Sequence, residues 1–167
     1  MHITRLEEYG LRCALQLARG YACDPDRAMR SSEIAAAESL SMQYVSKIMH
    51  LFRKAKLIGA VRGHQGGFYL NSSPDQLSIK DVLDALSSDK EKAQQDNFCE
   101  LFTGKNQTCV HLCDCSLRPI WSHFFNYFYN VLGKITLADL AKKEKHTQEL
   151  IHKLAGEETK KLMEQLK

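Results

Sequence analysis

The chain of 167 residues is 44% hydrophobic and 26% charged with a formal net charge of +3, which suits one globular domain with a moderate core and some accessory structure. No apolar run approaches the ~20 residues of a membrane span, and the amino terminus, where His2, Arg5, Glu7 and Glu8 crowd together, lacks the apolar centre of a signal peptide. The expectation is a cytoplasmic protein with no membrane partner.

In chain order, a long first helix is expected from about Thr4 to Gly20, followed by a polar link containing Pro25. Ser31 to Glu38 then reads as a short capped helix, and only a few residues separate it from the next, as a helix-turn-helix requires. In that next segment Met42, Val45, Ile48, Met49 and Phe52 recur at three- and four-residue steps, the stripe of a helix with one face on a core. Ser41 is placed to cap it. Its other face carries Gln43, Ser46, Lys47 and His50, donors suited to base edges, while Arg53, Lys54 and Lys56 gather near the far end, where phosphates would be met.

Between Ser39 and Asn71 there are five basic residues and no acidic one. Ala60-Val61 and Phe68-Tyr69-Leu70 are short β-prone runs separated by Gly63, Gly66 and Gly67, a hairpin signal, with Arg62 and His64 at its mouth. Arg62 and His64 suit a position beside phosphates or in a narrow minor groove, where negative potential is focused. A basic helix followed at this distance by a glycine hairpin reads as a recognition helix and its wing. The competing reading is an amphipathic helical pair with a solvated basic face, closed by a plain surface hairpin.

Charge distribution agrees with DNA as the partner. Residues 1–71 hold ten basic and six acidic side chains, residues 72–133 five and eight, and residues 134–167 eight and six. The positive field therefore lies on the reading half.

Farther along, Ser72-Ser73-Pro74 punctuates the chain, and Ser78-Ile79-Lys80-Asp81 has the character of a capping box opening a short helix with Ile79, Val82, Leu83 and Leu86 on its apolar side. Residues 88–116 lack apolar periodicity and read as an irregular loop. A long aromatic helix is expected from near Leu117, with Pro119 in its first turn and Ile120, Trp121, Phe124, Phe125, Phe128, Val131 and Leu132 at helical spacing. This exceeds what one small domain needs, which points to a second copy packed across a two-fold axis; the alternative is that the stripe covers only the first helix and the winged core. Residues 141–167 form a charged amphipathic helix or tail.

Cys99, Cys109, Cys113 and Cys115 fall within seventeen residues. In a cytosolic chain thiolate ligation of a cluster or of zinc is a better reading than a disulfide framework, and metal binding would order a segment that has no core of its own. Cys13 is expected to be a buried small apolar residue, and Cys23 to sit in a turn.

Several of these stretches resemble one family, the IscR/NsrR-type winged-helix transcription regulators of the Rrf2 family. The resemblance spans roughly residues 1–140. It rests on Thr4-Arg5 with Glu8-Tyr9-Gly10-Leu11-Arg12, on Ser41-Met42-Gln43-Tyr44-Val45, on Val61-Arg62-Gly63-His64-Gln65-Gly66-Gly67-Phe68, and on Thr136-Leu137-Ala138-Asp139-Leu140 closing the core. It implies a homodimer that binds a palindromic operator in double-stranded DNA, often with an iron–sulfur cluster (2Fe-2S or 4Fe-4S) as the sensor. With the reading of the residues above, the expected DNA-binding set is Ser41, Gln43, Tyr44, Ser46, Lys47, His50, Arg53 and Lys54 on the helix, with Arg62, Gly63, His64, Gly66 and Gly67 in the wing. Cys115, just before Leu117, and Cys109 match two loop ligands, and Cys99 matches the first. Nine residues rather than about five separate Cys99 from Cys109, and Cys113 is additional, which leaves open which cysteine is spare. For the fourth ligand the resemblance offers an acid near the start of the first helix of the partner subunit, a position that Glu8 matches, with Cys113 or His111 as alternatives; Glu8 read on its own is a solvated residue paired with Arg12 four positions on.

The expected architecture is mainly α: a winged helix-turn-helix over residues 1–87, a cysteine-rich cluster-binding loop over 88–116, a dimerisation helix and closing segment over 117–140, and a charged helix or tail over 141–167. The expected function is transcriptional regulation under control of the cluster, the alternative being the same regulator sensing by zinc binding or thiol oxidation. An enzyme is not expected. There is no CxxC on a βαβ framework, no paired carboxylates and no phosphate-cradling loop.

Overall fold

The structure, a computed structural model, describes residues 3–63, 66–87, 109, 111 and 114–165, from 158 onward by the backbone alone. Helix α1 (Arg5–Cys23) starts at a full capping box in which Thr4 Oγ1 accepts from the Glu7 amide and the Glu7 carboxylate accepts from the Thr4 amide. It ends three residues later than the sequence suggested, so Cys23 closes the helix rather than sitting in a turn. Helices α2 (Ser31–Glu38) and α3 (Met42–Lys54) follow, then strands β1 (Ile58–Val61) and β2 (Gly67–Leu70), α4 (Ile79–Leu86), α5 (Leu117–Leu132), the single turn α6 (Leu137–Leu140) and α7 (Glu144–Gln165).

The two strands pair antiparallel, with Ile58 opposite Leu70 and Val61 opposite Gly67. Met29, in the link between α1 and α2, extends this pairing by exchanging backbone hydrogen bonds with Phe68 at 2.9 and 2.8 Å. The base of the wing is thus tied to the segment that enters the helix pair.

One core joins these parts. Cys13, Leu17 and Ala18 of α1 meet Ile34 of α2, Val45, Ile48, Met49 and Phe52 of α3, Val82 and Leu86 of α4, and Leu137 of α6. At about 25 cal/mol per Å² of apolar surface withdrawn from water, such side chains supply the main driving force for the fold. Leu137 is fully buried in this core, and the Leu137 amide donates to the Leu77 carbonyl at 2.8 Å, so the closing segment completes the winged unit. Ser78 and Thr136 each build a reciprocal cap with the aspartate three residues on, which fixes the starts of α4 and α6.

A second cluster of Ile79, Ile135 and Leu154, flanked by Val131 and Leu132, anchors the end of α5 and places α7 beside it. The beginning of α5 is different. Leu117, Ile120, Trp121 and Phe124 are all exposed, and no described residue of that helix is buried.

Candidate nucleic-acid interface and sensor segment

Ser41 caps α3 as expected, its Oγ accepting from the Tyr44 amide at 3.2 Å. The buried stripe of α3 is Val45, Ile48, Met49 and Phe52. Met42 does not belong to it: this residue, expected on the core face, is 57% exposed. It occupies the first position of the helix, while the inward side of that turn is occupied by Tyr44 and Val45. Gln43, Ser46, Lys47, His50, Arg53 and Lys54 are exposed, as is Ser41. The donor-bearing face of the helix is therefore open along its length.

Tyr44 is half-buried, its ring edge-on to that of Tyr9 at 5.6 Å between centroids and 82° between planes. It orients the helix against α1 and is less open to a groove than its neighbours.

The helix terminates by geometry suited to a wing. The Leu57 amide donates to the Phe52 carbonyl at 2.9 Å and the Lys56 amide to that of Arg53 at 3.0 Å, with Lys56 in the left-handed region at φ 60°. Glycine is the usual residue in such a cap. Here the Asn71 side-chain amide donates to the Lys56 carbonyl at 2.7 Å, and the exposed lysine is held between helix and wing.

Beyond β1, Arg62 and Gly63 are exposed and Gly63 has φ +112°, which its lack of a side chain permits. The Gly66 amide returns to the Gly63 carbonyl at 2.9 Å and closes the turn. A Cβ on Gly67 would come within 2.6 Å of the Met29 carbonyl oxygen, so that glycine serves the docking of the wing on the α1–α2 link. His64 lies outside the described residues.

Helix α1 is wired to the reading unit by polar contacts that sequence patterns did not reveal. Arg12 Nε donates to the Glu38 carboxylate at 2.6 Å and Arg12 Nη2 to the Glu38 carbonyl at 2.8 Å, while Gln16 Nε2 donates to the same carboxylate. The Arg12 guanidinium also lies over the Tyr9 ring, 5.6 Å from its centroid. Tyr9, Arg12 and Gln16 follow one another at steps of three and four along α1, but Glu38 is remote in sequence. Arg12 pairs with Glu38 rather than with Glu8, and Glu8 is left exposed on the first turns of α1.

In the cysteine-bearing segment, Cys109 and Cys115 are half-buried free thiols, and the Cys115 carbonyl accepts from the Arg118 amide at 3.3 Å at the start of α5. His111 is exposed. Cys99 and Cys113, and most of the 88–116 segment, lie outside the described residues. Among the described residues no three histidine, cysteine or acidic side chains gather as a metal site. Cys13 is fully buried, as expected, and burial pushes its thiol up to about 12, which suits a core residue and not a ligand. Cys23 is exposed.

A capped helix with an open basic and amide-bearing face, preceded by a second helix and followed by a two-stranded glycine hairpin, defines a winged helix-turn-helix DNA-binding protein. Residues 3–143 match the sequence profile of the Rrf2 family, described as iron-dependent transcriptional regulators, and the chain belongs to that family. It is 30% identical over 156 residues to the regulator NsrR of Geobacillus kaustophilus, covering 93% of this chain and all of the relative. It is 28% identical over 140 residues to the protein rrf2 of Nitratidesulfovibrio vulgaris, covering 84% and 87% of the two chains. Its fold is similar to that of IscR from T. potens (TM-score 0.65, 22% identity, 84% and 85% coverage). It is similar also to CymR, the global cysteine regulator of B. subtilis (TM-score 0.64, 24% identity, 84% and 96% coverage). The chain is accordingly a transcriptional regulator of the DNA-binding kind and not an enzyme. No helix among the described residues is long and apolar enough to cross a membrane.

Proposed function

We propose that this chain acts as a homodimer on a palindromic operator and that an iron–sulfur cluster bound through its loop cysteines sets the operator affinity. The observation that carries the reading is the open face of α3 beside the wing, with the Tyr9–Tyr44 and Arg12–Glu38 contacts tying the first turns of α1, where Glu8 is exposed, to the helix pair. Four exposed apolar residues at the start of α5 support the dimer. A two-fold pairing along that helix would withdraw them from water and present two reading heads to successive major grooves.

The donor set fits such a group in its chemistry. Cys109 and Cys115 are free thiols that precede the aromatic helix in the chain, and soft sulfur donors are the ordinary ligands of these clusters. With Cys99, and with Glu8, Cys113 or His111 completing the set, they would hold the cluster. When bound, it supplies redox chemistry and reactivity toward small oxidants.

The chain's own residues then do the switching. Ligation by Glu8 would fix the first turns of α1, and Tyr9 and Arg12, one and four positions on, pass that constraint to Tyr44 at the start of α3 and to Glu38 at the end of α2. Arg53, Lys54, Lys56 and Arg62 hold phosphates, and Gln43, Ser46, Lys47 and His50 face base edges. A coupling of about 1–3 kcal/mol, typical of allosteric proteins, changes operator occupancy roughly five- to 150-fold.

Anaerobic purification with visible spectroscopy and with iron and sulfide counting tests the sensor. Brown protein with matching iron and sulfide supports it. Colourless protein with stoichiometric zinc, or with a thiol pair that oxidises reversibly, assigns sensing to the same cysteines without iron.

A further inference from the structure

We infer that Met42 is a specificity residue that reads the C5-methyl group of thymine, an inference that rests on the DNA-binding reading of α3 and deepens it. Met42 stands at the first position of α3, directly after the Ser41 cap. In helix-turn-helix proteins the amino-terminal residues of the recognition helix are the ones that meet base edges. Met42, Ser46, His50 and Arg53 follow one another at steps of four, four and three, and all four are exposed. They form one continuous stripe, polar except at its leading end.

A lone exposed methionine is ordinary elsewhere on a surface. At this place it is an apolar group aimed along a polar reading face, with no described core residue covering it. The major groove offers one apolar feature for such a group, the thymine methyl, and a flexible, polarizable thioether adapts to it well. Gln43, the next residue, is exposed and carries the amide that matches the N6/N7 edge of adenine. Adjacent methionine and glutamine thus suit a neighbouring pair of A·T steps. This predicts a preference for thymine over uracil that no hydrogen-bonding residue can produce, since the two bases differ only in the methyl group.

The test starts from the full-length protein purified anaerobically, with duplexes enriched from a random library against nonspecific competitor. Thymine is then replaced by deoxyuridine one position at a time in the enriched duplex, and binding is followed by fluorescence anisotropy. The wild type is expected to lose about fourfold per half-site at one symmetric position, the worth of one methyl group withdrawn from water (~0.8 kcal/mol). Met42→Ala should bind thymine and uracil duplexes equally there, and Met42→Leu should restore most of the difference. Because Met42 is exposed, the melting temperature of both variants should stay that of the wild type. A thymine-to-uracil ratio that is the same in the wild type and in Met42→Ala overturns the inference while leaving the DNA reading intact. An effect of Met42→Ala confined to the monomer–dimer equilibrium also overturns it, by assigning the side chain to a subunit contact. If the library yields no enriched duplex at all, the DNA reading itself fails and the inference with it.

Discussion

Replacing Arg53 by glutamine is expected to flatten the salt dependence of DNA binding by a calculable amount. Each reading head presents Arg53, Lys54, Lys56 and Arg62 to phosphates as exposed cations. Counterion release contributes about 0.9 to the slope of log affinity against log salt for each phosphate neutralised. Four contacts give a slope of about −3.6 per head and about −7 for a two-headed dimer, equivalent to a loss of about 10⁴-fold between roughly 50 and 200 mM salt. Arg53→Gln removes one contact from each head, which lowers the slope to about −5.4 and the loss to about 10³-fold. Anisotropy titrations of an enriched duplex across this salt range measure both slopes directly. Lys145→Gln, on the exposed surface of α7, serves as a control and should leave the slope unchanged. A slope unaltered by Arg53→Gln, or altered as much by Lys145→Gln, would refute the placement of phosphates at the basic end of α3.

Three further outcomes follow from the packing and the caps. Leu137→Ala leaves a cavity at a fully buried site of the main core and should cost about 2–5 kcal/mol in urea unfolding, showing that the segment after α5 completes the winged unit. Lys56→Gly relieves a left-handed lysine and should stabilise the fold by roughly 1 kcal/mol, about 2–4 °C in Tm, while weakening DNA binding through the lost cation. Burial opposes ionisation of Asp139, but hydrogen bonds from the Thr136 hydroxyl and amide and from Lys142 and His146 outweigh it and bring the carboxyl down to about 2. A carboxylate depressed from 3.8 contributes stability that is present above that value and is lost as pH falls toward 2. Asp139→Asn should therefore reduce the pH dependence of unfolding between pH 4 and 2, and an unchanged acid limb would contradict the role given to these bonds.

The amphipathic stripes of α3 and α4, the caps at Ser41 and Ser78 and the glycine hairpin were legible because each is written in local spacing and local chemistry. What could not be read was whatever depends on the other side of a contact. Met42 has the hydrophobicity and spacing of a core residue, and its exposure is set by Tyr44 and Val45 occupying the inward side of the first turn. Glu8 and Arg12 have ideal helical spacing for an ion pair, yet Glu38 offers Arg12 both a carboxylate and a carbonyl, and a single sequence does not reveal that the end of α2 packs against α1. Lys56 carried no sign of its left-handed backbone, because Asn71, fifteen residues away, stabilises it. The cysteine segment was legible only in its chemistry: thiol spacing names ligands without fixing which of them share a site.

Operator affinity compared with and without the cluster tests the account most directly. The same anaerobic preparation is titrated onto an enriched duplex before and after chelation of its iron, at fixed salt. Affinities that differ by roughly five- to 150-fold, and that converge when Cys109 and Cys115 are replaced by serine, are the predicted result. Equal affinities for the loaded and stripped protein would contradict control of the recognition helix by the loop cysteines.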